Sequence, residues 1–272
     1  MLSLQPHHIT DLYVRVDDAI PKFEKPFGGR PTTLSDSELV TILLWNALAV
    51  RQKTLKDIHR WVRLYHTEDF PRIPKYNTFV AHCHRITPLL WQLLSELLVD
   101  TAPLRFMDST MVEVCKLQRA DGHKVARNIA DFGKNHQGWH FGFKLHASID
   151  TKGRLSGLAL TPANVHDAQV MPLILNEETG IAVGDTSYGA RVMGRRIWET
   201  YGTIIIAPPH PKQRTKLMAE WQGLLLAAKS RIESVFDYLK EHLFFVTSFP
   251  RSVMGYLLHY LRVLLGYQLM VL

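Results

Sequence analysis

The sequence predicts an α/β protein with two parts: an all-helical region over residues 1–100, and a mixed five-stranded sheet flanked by helices over residues 101–272. Two observations predict this division. Apolar residues before residue 100 recur at helical spacing, whereas short runs of strand-forming residues begin at Leu104 and alternate with helical segments. Packing helices on a sheet buries the apolar faces of both, and the 46% hydrophobic content allows such a core.

Capping and proline signals mark the helices of the first part. Ser35 and Glu38 have the spacing of a capping box and precede a helical run of leucine and isoleucine. Further helices are predicted over residues 55–65, from Thr78, and from Pro88, since proline is favoured in a first helical turn. Short consecutive helices with basic side chains are typical of a helix-turn-helix-like DNA-binding region, although an ordinary helical bundle with solvated charges has the same pattern.

Five runs in the second part have strand character, and three helices separate or follow them. The strands are predicted in LRFMD, GWHFGFKLHASID, LSGLALTP, GIAVGD and TIIIAPP, with TKGR as the turn of a hairpin. Helices are predicted after Asp167, over ARVMGRRIWETY with Gly202 closing it, and from about Met218 to Leu243. A polar basic loop is expected over residues 116–137.

Charge and cysteine content narrow the class of protein. The chain has 272 residues, with 32 Lys and Arg against 25 Asp and Glu and a net charge of +7. This balance favours a polyanionic partner such as nucleic acid, with a mildly basic enzyme as the alternative. Two cysteines without CxxC spacing argue against a disulfide framework and a thiolate zinc site. No export signal or membrane-spanning run is visible, so we expect a cytoplasmic protein with no membrane partner.

Three carboxylates occupy positions where a catalytic site is expected. Asp108 ends the first predicted strand and Asp185 the fourth, and acids at the ends of neighbouring strands converge at the ligand-binding edge of an α/β sheet. In the last predicted helix, Lys229, Glu233 and Lys240 share one border of the apolar stripe. Structural alternatives exist, because strand-end acids also cap turns and helices, and Glu233 could form an exposed ion pair with Lys229.

Acids in this arrangement suit metal-assisted cleavage of phosphodiesters. Two Mg²⁺ ions about 3.5–4 Å apart clamp the attacking and leaving oxygens in such reactions. Hard cations take oxygen ligands, hence Asp and Glu rather than Cys or His. We therefore expect Asp108, Asp185 and Glu233 to be both the catalytic residues and the metal ligands, with Mg²⁺ as the cofactor and Mn²⁺ able to substitute.

The same motifs resemble those of a known family. FMDST around Asp108, GDTSYG around Asp185 and RIESVFDYLK around Glu233 resemble the DDE triad of bacterial insertion-sequence transposases. Lys240 lies seven residues after Glu233, as in the family's signature. The resemblance covers residues 28–265. Within the family, the pattern of this chain is most similar to that of the insertion sequence 982 group.

This resemblance implies an RNase H-like catalytic core, Mg²⁺ dependence, and a homodimer or higher multimer acting on double-stranded DNA. The implied reaction binds the inverted repeats at transposon ends, cuts there, and uses the freed 3′-OH to attack target DNA without a covalent protein–DNA intermediate. Two alternatives stay open. One is a nuclease of the same fold that does not join DNA, and the other is a non-catalytic DNA-binding regulator derived from such an enzyme.

Basic residues near the acids are expected to hold phosphate groups. The family's Tyr and Arg upstream of the glutamate are replaced here by Leu226 and Lys229. The phosphate-binding candidates are His166, Lys229, Arg231 and Lys240, although His166 could equally be a helix-entry residue. Contacts to the DNA backbone are expected from basic loops and one strand, whose charges could also be simply solvated: Lys124, Arg127, Lys134, Lys144, Lys212, Arg214 and Lys216.

Overall fold

The chain forms two compact units in a computed structural model that describes residues 8–20, 33–135, 138–212 and 216–272. The helical unit draws on the ranges Met1–Leu97, Leu243–Phe245 and Phe249–Leu272, and the sheet unit on Leu98–His242 and Val246–Ser248. Within the described ranges, no helix combines the length and apolar character needed to cross a membrane.

Helices come first along the described chain, and strands with further helices between and after them follow from residue 104. The helices are α1 Ile9–Ala19, α2 Asp36–Trp45, α3 Leu55–Tyr65, α4 Tyr76–Arg85, α5 Thr87–Leu97, α6 Asp167–Ile174, α7 Arg191–Tyr201, α8 Glu220–Ala228, α9 Ser230–Asp237 and α10 Val253–Val271. The strands are β1 Leu104–Glu113, β2 Asp131–Asn135, β3 Gly138–Ile149, β4 Leu155–Pro162, β5 Ile181–Val183 and β6 Ile204–Ile206.

Local signals in the sequence place several helix ends correctly. The capping box is present, because Ser35 Oγ accepts from Glu38 N at 3.1 Å and Glu38 Oε2 accepts from Ser35 N at 2.6 Å. The predicted helix over residues 55–65 has the observed bounds of α3. Gly202 closes α7 with φ of +69°, a left-handed conformation that glycine adopts without strain.

The C-terminal helix belongs to the helical unit, although the sequence-based division placed residues 101–272 in one domain. α10 packs mainly against α5 and α2, and its middle is buried on every side. Even Arg262 is only 4% exposed; it donates to Asn46 Oδ1 at 3.1 Å and to the Gln52 carbonyl at 3.0 Å. A helix that is apolar all round needs neighbours around it, and the helices before residue 98 supply them.

The sheet unit has a mixed sheet in the order β2-β3-β1-β5-β6, with β4 also paired to β3. β1 is antiparallel to β3 and parallel to β5, and β5 is parallel to β6. The described residues form one strand more than the five predicted, because β2 lies inside the segment expected to be a basic loop. Its sequence DFGKN lacks an apolar run, and pairing with the first residues of β3 makes it a strand.

The single long helix predicted over residues 218–243 is also wrong in detail. The structure has α8, then α9, then a π-helical turn at Tyr238–His242, and Lys229 lies between the two helices. Around the break the hydrogen bonds span three residues instead of four: Lys229 N donates to Leu226 O and Ile232 N to Lys229 O. The break leaves Lys229 directly before the helix that carries Glu233.

Candidate active site

Two adjacent parallel strands bring the first two acids to one cavity. The prediction that Asp108 ends its strand is wrong, because pairing with β3 continues β1 past Asp108 to Glu113. Phe106 of β1 pairs with Val183 of β5, so Asp108 and Asp185 each follow that pair by two residues. Both line an open cavity of about 700 Å³, and Glu233 of α9 lines it too. Its charged and imidazole lining residues are Asp108, Glu113, Lys134, His140, Lys144, Asp167, Asp185, Lys229, Glu233 and Lys240.

Lys229 stands between two of the three predicted catalytic acids. Its Nζ lies 2.7 Å from Asp108 Oδ2 and 3.1 Å from Glu233 Oε1. The Lys229 and Asp108 side chains are 12% and 17% exposed, whereas that of Glu233 is 60% exposed. Burial lowers the pKa of Lys229, but the charge and hydrogen bonds of Asp108 and Glu233 outweigh burial and raise it. The ammonium therefore keeps its proton and occupies a cation position between the carboxylates.

The pKa of Asp108 is raised above its ordinary value. Burial is the main cause, and the nearby charge of Asp185 adds to it. The Lys229 ammonium and the Ser109 N–H, which donates to Asp108 Oδ1 at 2.8 Å, act in the opposite direction. Asp108 is thus a partly buried acid whose charge depends on a nearby cation.

A second network centres on Asp167, an acid that the sequence analysis treated only as a helix-start residue. Its Oδ1 accepts from Ser109 Oγ at 2.8 Å and from Lys144 Nζ at 3.1 Å, and its Oδ2 accepts from Ser187 Oγ at 3.0 Å. Burial raises the pKa of Asp167, but the charge of Lys144 and the bonds from Ser109 and Lys144 lower it on balance. Ser109 and Ser187 stand in the motifs FMDST and GDTSYG, beside the predicted catalytic aspartates, and that adjacency was the available signal for them.

Two further buried side chains lie near Asp167. His146 is fully buried, with Nδ1 at 3.6 Å from Asp167 Oδ1 and Nε2 at 2.9 Å from Thr161 Oγ1. Burial lowers the pKa of His146 to about 4, with Lys144 acting in the same direction and Asp167 against it, so the imidazole is neutral at neutral pH. Tyr188 is buried as well, and burial together with the nearby acids raises its pKa.

The donor set suits a divalent cation in its chemistry but is not assembled around one. Carboxylate oxygens are the ligands that hard cations take. Yet no three His, Cys, Asp or Glu side chains within the described ranges are grouped as a metal site would need. Asp108, Asp185 and Glu233 line one shared cavity, and their role as metal ligands stays a prediction. The Lys229 ammonium lies between Asp108 and Glu233, where a metal ion would bind. These two carboxylates therefore fit a divalent cation once Lys229 moves away.

The predicted phosphate-binding residues fall in different places. Lys240 lines the cavity beside the acids, and burial lowers its pKa against the opposing charges of Asp237, Glu113 and Glu241. His166 lines a neighbouring groove instead and caps α6, with Nδ1 accepting from Ala168 N at 3.2 Å. Arg231 is exposed, donates to the Thr151 carbonyl, and is not among the residues that line the acidic cavity.

Most of the residues expected to contact DNA are exposed. This holds for Lys124, Arg127, Lys134, Lys212 and Lys216. Lys134 lies on β2 with its ammonium 5.7 Å from the Trp139 ring centroid. Lys144 differs, because its ammonium is committed to Asp167 and the Val165 carbonyl inside the site. Arg214 lies outside the described residues, and contacts of all these side chains with DNA stay a prediction.

Comparison with known proteins connects the sheet unit to a family. Residues 99–252, more than half of the chain, match the family described as "Transposase DDE domain". The chain is also similar to a solved structure titled "Crystal structure of a pre-cleavage Mos1 transpososome". The identity there is 15%, over 92% of this chain and 81% of that chain, with a TM-score of 0.23, and so low a score supports no argument about this chain.

Proposed function

Because this chain belongs to the family of transposases with a DDE domain, we propose that it catalyses transposition of a bacterial insertion sequence of the 982 group. It binds the inverted repeats at the element's ends in double-stranded DNA, cleaves there, and joins the freed 3′-OH to target DNA. We also propose that the sheet unit is an RNase H-like core. Its central strand β1, antiparallel to β3 and parallel to β5, supports this proposal.

One observation carries the catalytic assignment. Asp108 and Asp185 follow paired residues of adjacent parallel strands, and Glu233 lines the same cavity from α9. In this proposal the three acids hold two Mg²⁺ ions, for which Mn²⁺ can substitute. Bound divalent cations supply the positive charge that stabilises attacking and leaving oxygens during phosphoryl transfer.

The lysines of the cavity complete the proposed site. In this structure the Lys229 ammonium lies between the carboxylates of Asp108 and Glu233 and reduces the repulsion between their charges. When a cation takes that position, the Lys229 ammonium leaves the carboxylates and becomes available to a DNA phosphate. Lys240 lines the same cavity and offers a second positive charge to the phosphate backbone.

DNA binding is proposed for exposed basic residues and for the helical unit. The net charge of +7 and the exposure of Lys124, Arg127, Lys212 and Lys216 support it. Backbone contacts of this kind release counterions, so the affinity for end DNA should fall steeply as salt rises. A homodimer or higher multimer on DNA belongs to the same proposal, and light scattering of the protein–DNA complex measures it directly.

Alanine variants of the three acids test the catalytic proposal. The substrate is labelled DNA carrying the sequences that flank this gene, incubated with Mg²⁺, and pre-cut ends are supplied separately to measure joining. Asp108→Ala, Asp185→Ala and Glu233→Ala should abolish both cleavage and joining. Asp237→Ala, an exposed acid one turn after Glu233, is the matched control and should stay active. Undiminished cutting by Asp108→Ala refutes the triad, and cleavage by the natural protein without joining indicates a nuclease.

A further inference from the structure

We propose that Asp167 is a positioning residue that holds both catalytic aspartates in register. This inference rests on the proposed function, since it concerns the same acids. Asp167 opens α6, and its side chain is 16% exposed. It accepts hydrogen bonds from three different elements: Ser109 of β1, Lys144 of β3, and Ser187 in the turn after β5.

The link from Asp167 to Asp108 passes through Ser109. The Ser109 hydroxyl donates to Asp167 Oδ1 at 2.8 Å, and the N–H of the same residue donates to Asp108 Oδ1 at 2.8 Å. One serine thus connects the two carboxylates, using its side chain for one and its backbone for the other. Asp108 Oδ2 is directed instead to the Lys229 ammonium, the position proposed for a cation.

The link to Asp185, which follows β5, passes through Ser187, whose one hydroxyl proton is shared between Asp185 and Asp167. The Ser187 hydroxyl lies 3.0 Å from Asp167 Oδ2 and 2.5 Å from Asp185 Oδ1, and the Ser187 N–H donates to Asp185 Oδ1 at 2.9 Å. Each catalytic aspartate therefore has its Oδ1 held by a serine whose hydroxyl contacts Asp167. Pairing of β1 with β5 ends at Phe106 and Val183, two residues before the acids, so a shared anchor beyond the paired residues fixes the spacing between the two carboxylates.

Charge and bonding set Asp167 apart from the metal ligands. Its Oδ1 takes donors from Ser109 and Lys144, and its Oδ2 contacts the Ser187 hydroxyl. Asp108 Oδ2, in contrast, is bonded to the Lys229 ammonium, which occupies the position proposed for a cation. The Lys144 ammonium, 3.1 Å from Asp167 Oδ1 and 12% exposed, balances the charge of Asp167. Such an ion pair positions neighbouring ligands without adding net charge to the cavity.

The experiment compares Asp167→Asn with the natural protein in metal binding. An amide has one acceptor oxygen for Ser109 and Lys144, its NH₂ group can only donate to Ser187 Oγ, and it carries no charge to balance the Lys144 ammonium. Loss of an outer contact to a metal ligand typically weakens metal binding about 10- to 100-fold. Asp167→Asn should therefore raise the Mn²⁺ concentration for half-maximal cleavage by about that factor, with activity recovered at high Mn²⁺.

Mn²⁺ titration of the full-length protein by electron paramagnetic resonance gives a readout independent of activity. Asp150→Asn is the matched control, because Asp150 is a buried acid at the β3–β4 turn that binds Arg154 and Lys152 N. The Asp150→Asn substitution should lower the free energy of unfolding without changing Mn²⁺ affinity. Ser109→Ala and Ser187→Ala are milder variants that each remove one hydroxyl contact with Asp167. Their Mn²⁺ affinities test the inference if Asp167→Asn does not fold.

A double-mutant cycle tests whether the anchor acts through the serine. Combining Asp167→Asn with Ser187→Ala should weaken Mn²⁺ binding by less than the product of the two single effects, because both remove the same contact. Unchanged Mn²⁺ affinity in Asp167→Asn, or in both serine variants, overturns the inference even if Asp108→Ala abolishes cleavage. Active Asp108→Ala protein overturns the proposed function instead, so the two failures are distinguishable.

Discussion

The helical unit should lose stability in mild acid because of one histidine. His259 is buried; its Nε2 lies 3.0 Å from the Phe244 carbonyl oxygen and 3.2 Å from that of Phe245, and its Nδ1 accepts from Arg262 Nη2 at 3.2 Å. Both ring nitrogens are thus in use by the neutral form with hydrogen on Nε2. A second proton on Nδ1 would break the contact with Arg262 and place two positive charges side by side.

The size of the effect follows from the shift in the His259 pKa. Burial and Arg262 lower this pKa to about 3, against the two backbone hydrogen bonds, whereas a histidine in an unfolded chain has a pKa of about 6.5. Between about pH 3 and about pH 6.5, His259 therefore carries an extra proton in the unfolded state but not in the folded state. Stability is full above about pH 6.5 and falls by about 1.4 kcal/mol per pH unit below it, so about 2 kcal/mol is lost by about pH 5.

Urea denaturation of the natural protein and of His259→Gln, at about pH 7 and about pH 5, measures this loss. Glutamine keeps an amide donor for the carbonyls and an acceptor for Arg262 but does not titrate. The variant is expected to be less stable at neutral pH, and the gap should shrink by about 2 kcal/mol in acid. Parallel losses of stability in the two proteins would refute the reasoning.

Three further predictions concern the sheet unit. Lys229→Met removes the ammonium between two acids, so Mn²⁺ should bind more tightly by calorimetry, and equal affinity contradicts a competing role for Lys229. Arg105→Lys should lower the free energy of unfolding by about 2–4 kcal/mol, because the buried guanidinium donates to four carbonyls and Asn176; urea denaturation measures it. Gly157→Ala should cost about 1–3 kcal/mol, since its Cβ would lie 2.3 Å from the Ile174 carbonyl oxygen. Gly194→Ala on α7, with nothing within 4 Å, is its control and should stabilise by up to about 1 kcal/mol.

Features governed by neighbouring residues were predictable from the sequence. The capping box at Ser35, the bounds of α3 and the left-handed end of α7 at Gly202 depend on contacts within a few residues. The position of Asp185 after β5 was predictable for the same reason, since an apolar run followed by a polar residue marks a strand end. The same signal was wrong for Asp108, because pairing with β3 extends β1 past it to Glu113.

Features that depend on distant partners were not predictable in this way. β2 is a strand because β3 offers it a free edge, and its five residues have no strand pattern of their own. The break at Lys229 likewise follows no proline or glycine at that position. The sequence of α10 predicts an apolar helix that could belong to either domain. Only its packing against α2 and α5 places it in the helical unit.

The sequence by itself determined the kinds of elements and the residue types available for chemistry, because periodicity, capping and motif spacing are local properties of the chain. Tertiary structure alone decided that Lys229 lies between Asp108 and Glu233, and that Asp167 links the middle of β1 to the turn after β5. These contacts join residues tens of positions apart, and their distances depend on how strands and helices pack rather than on any neighbour in the chain.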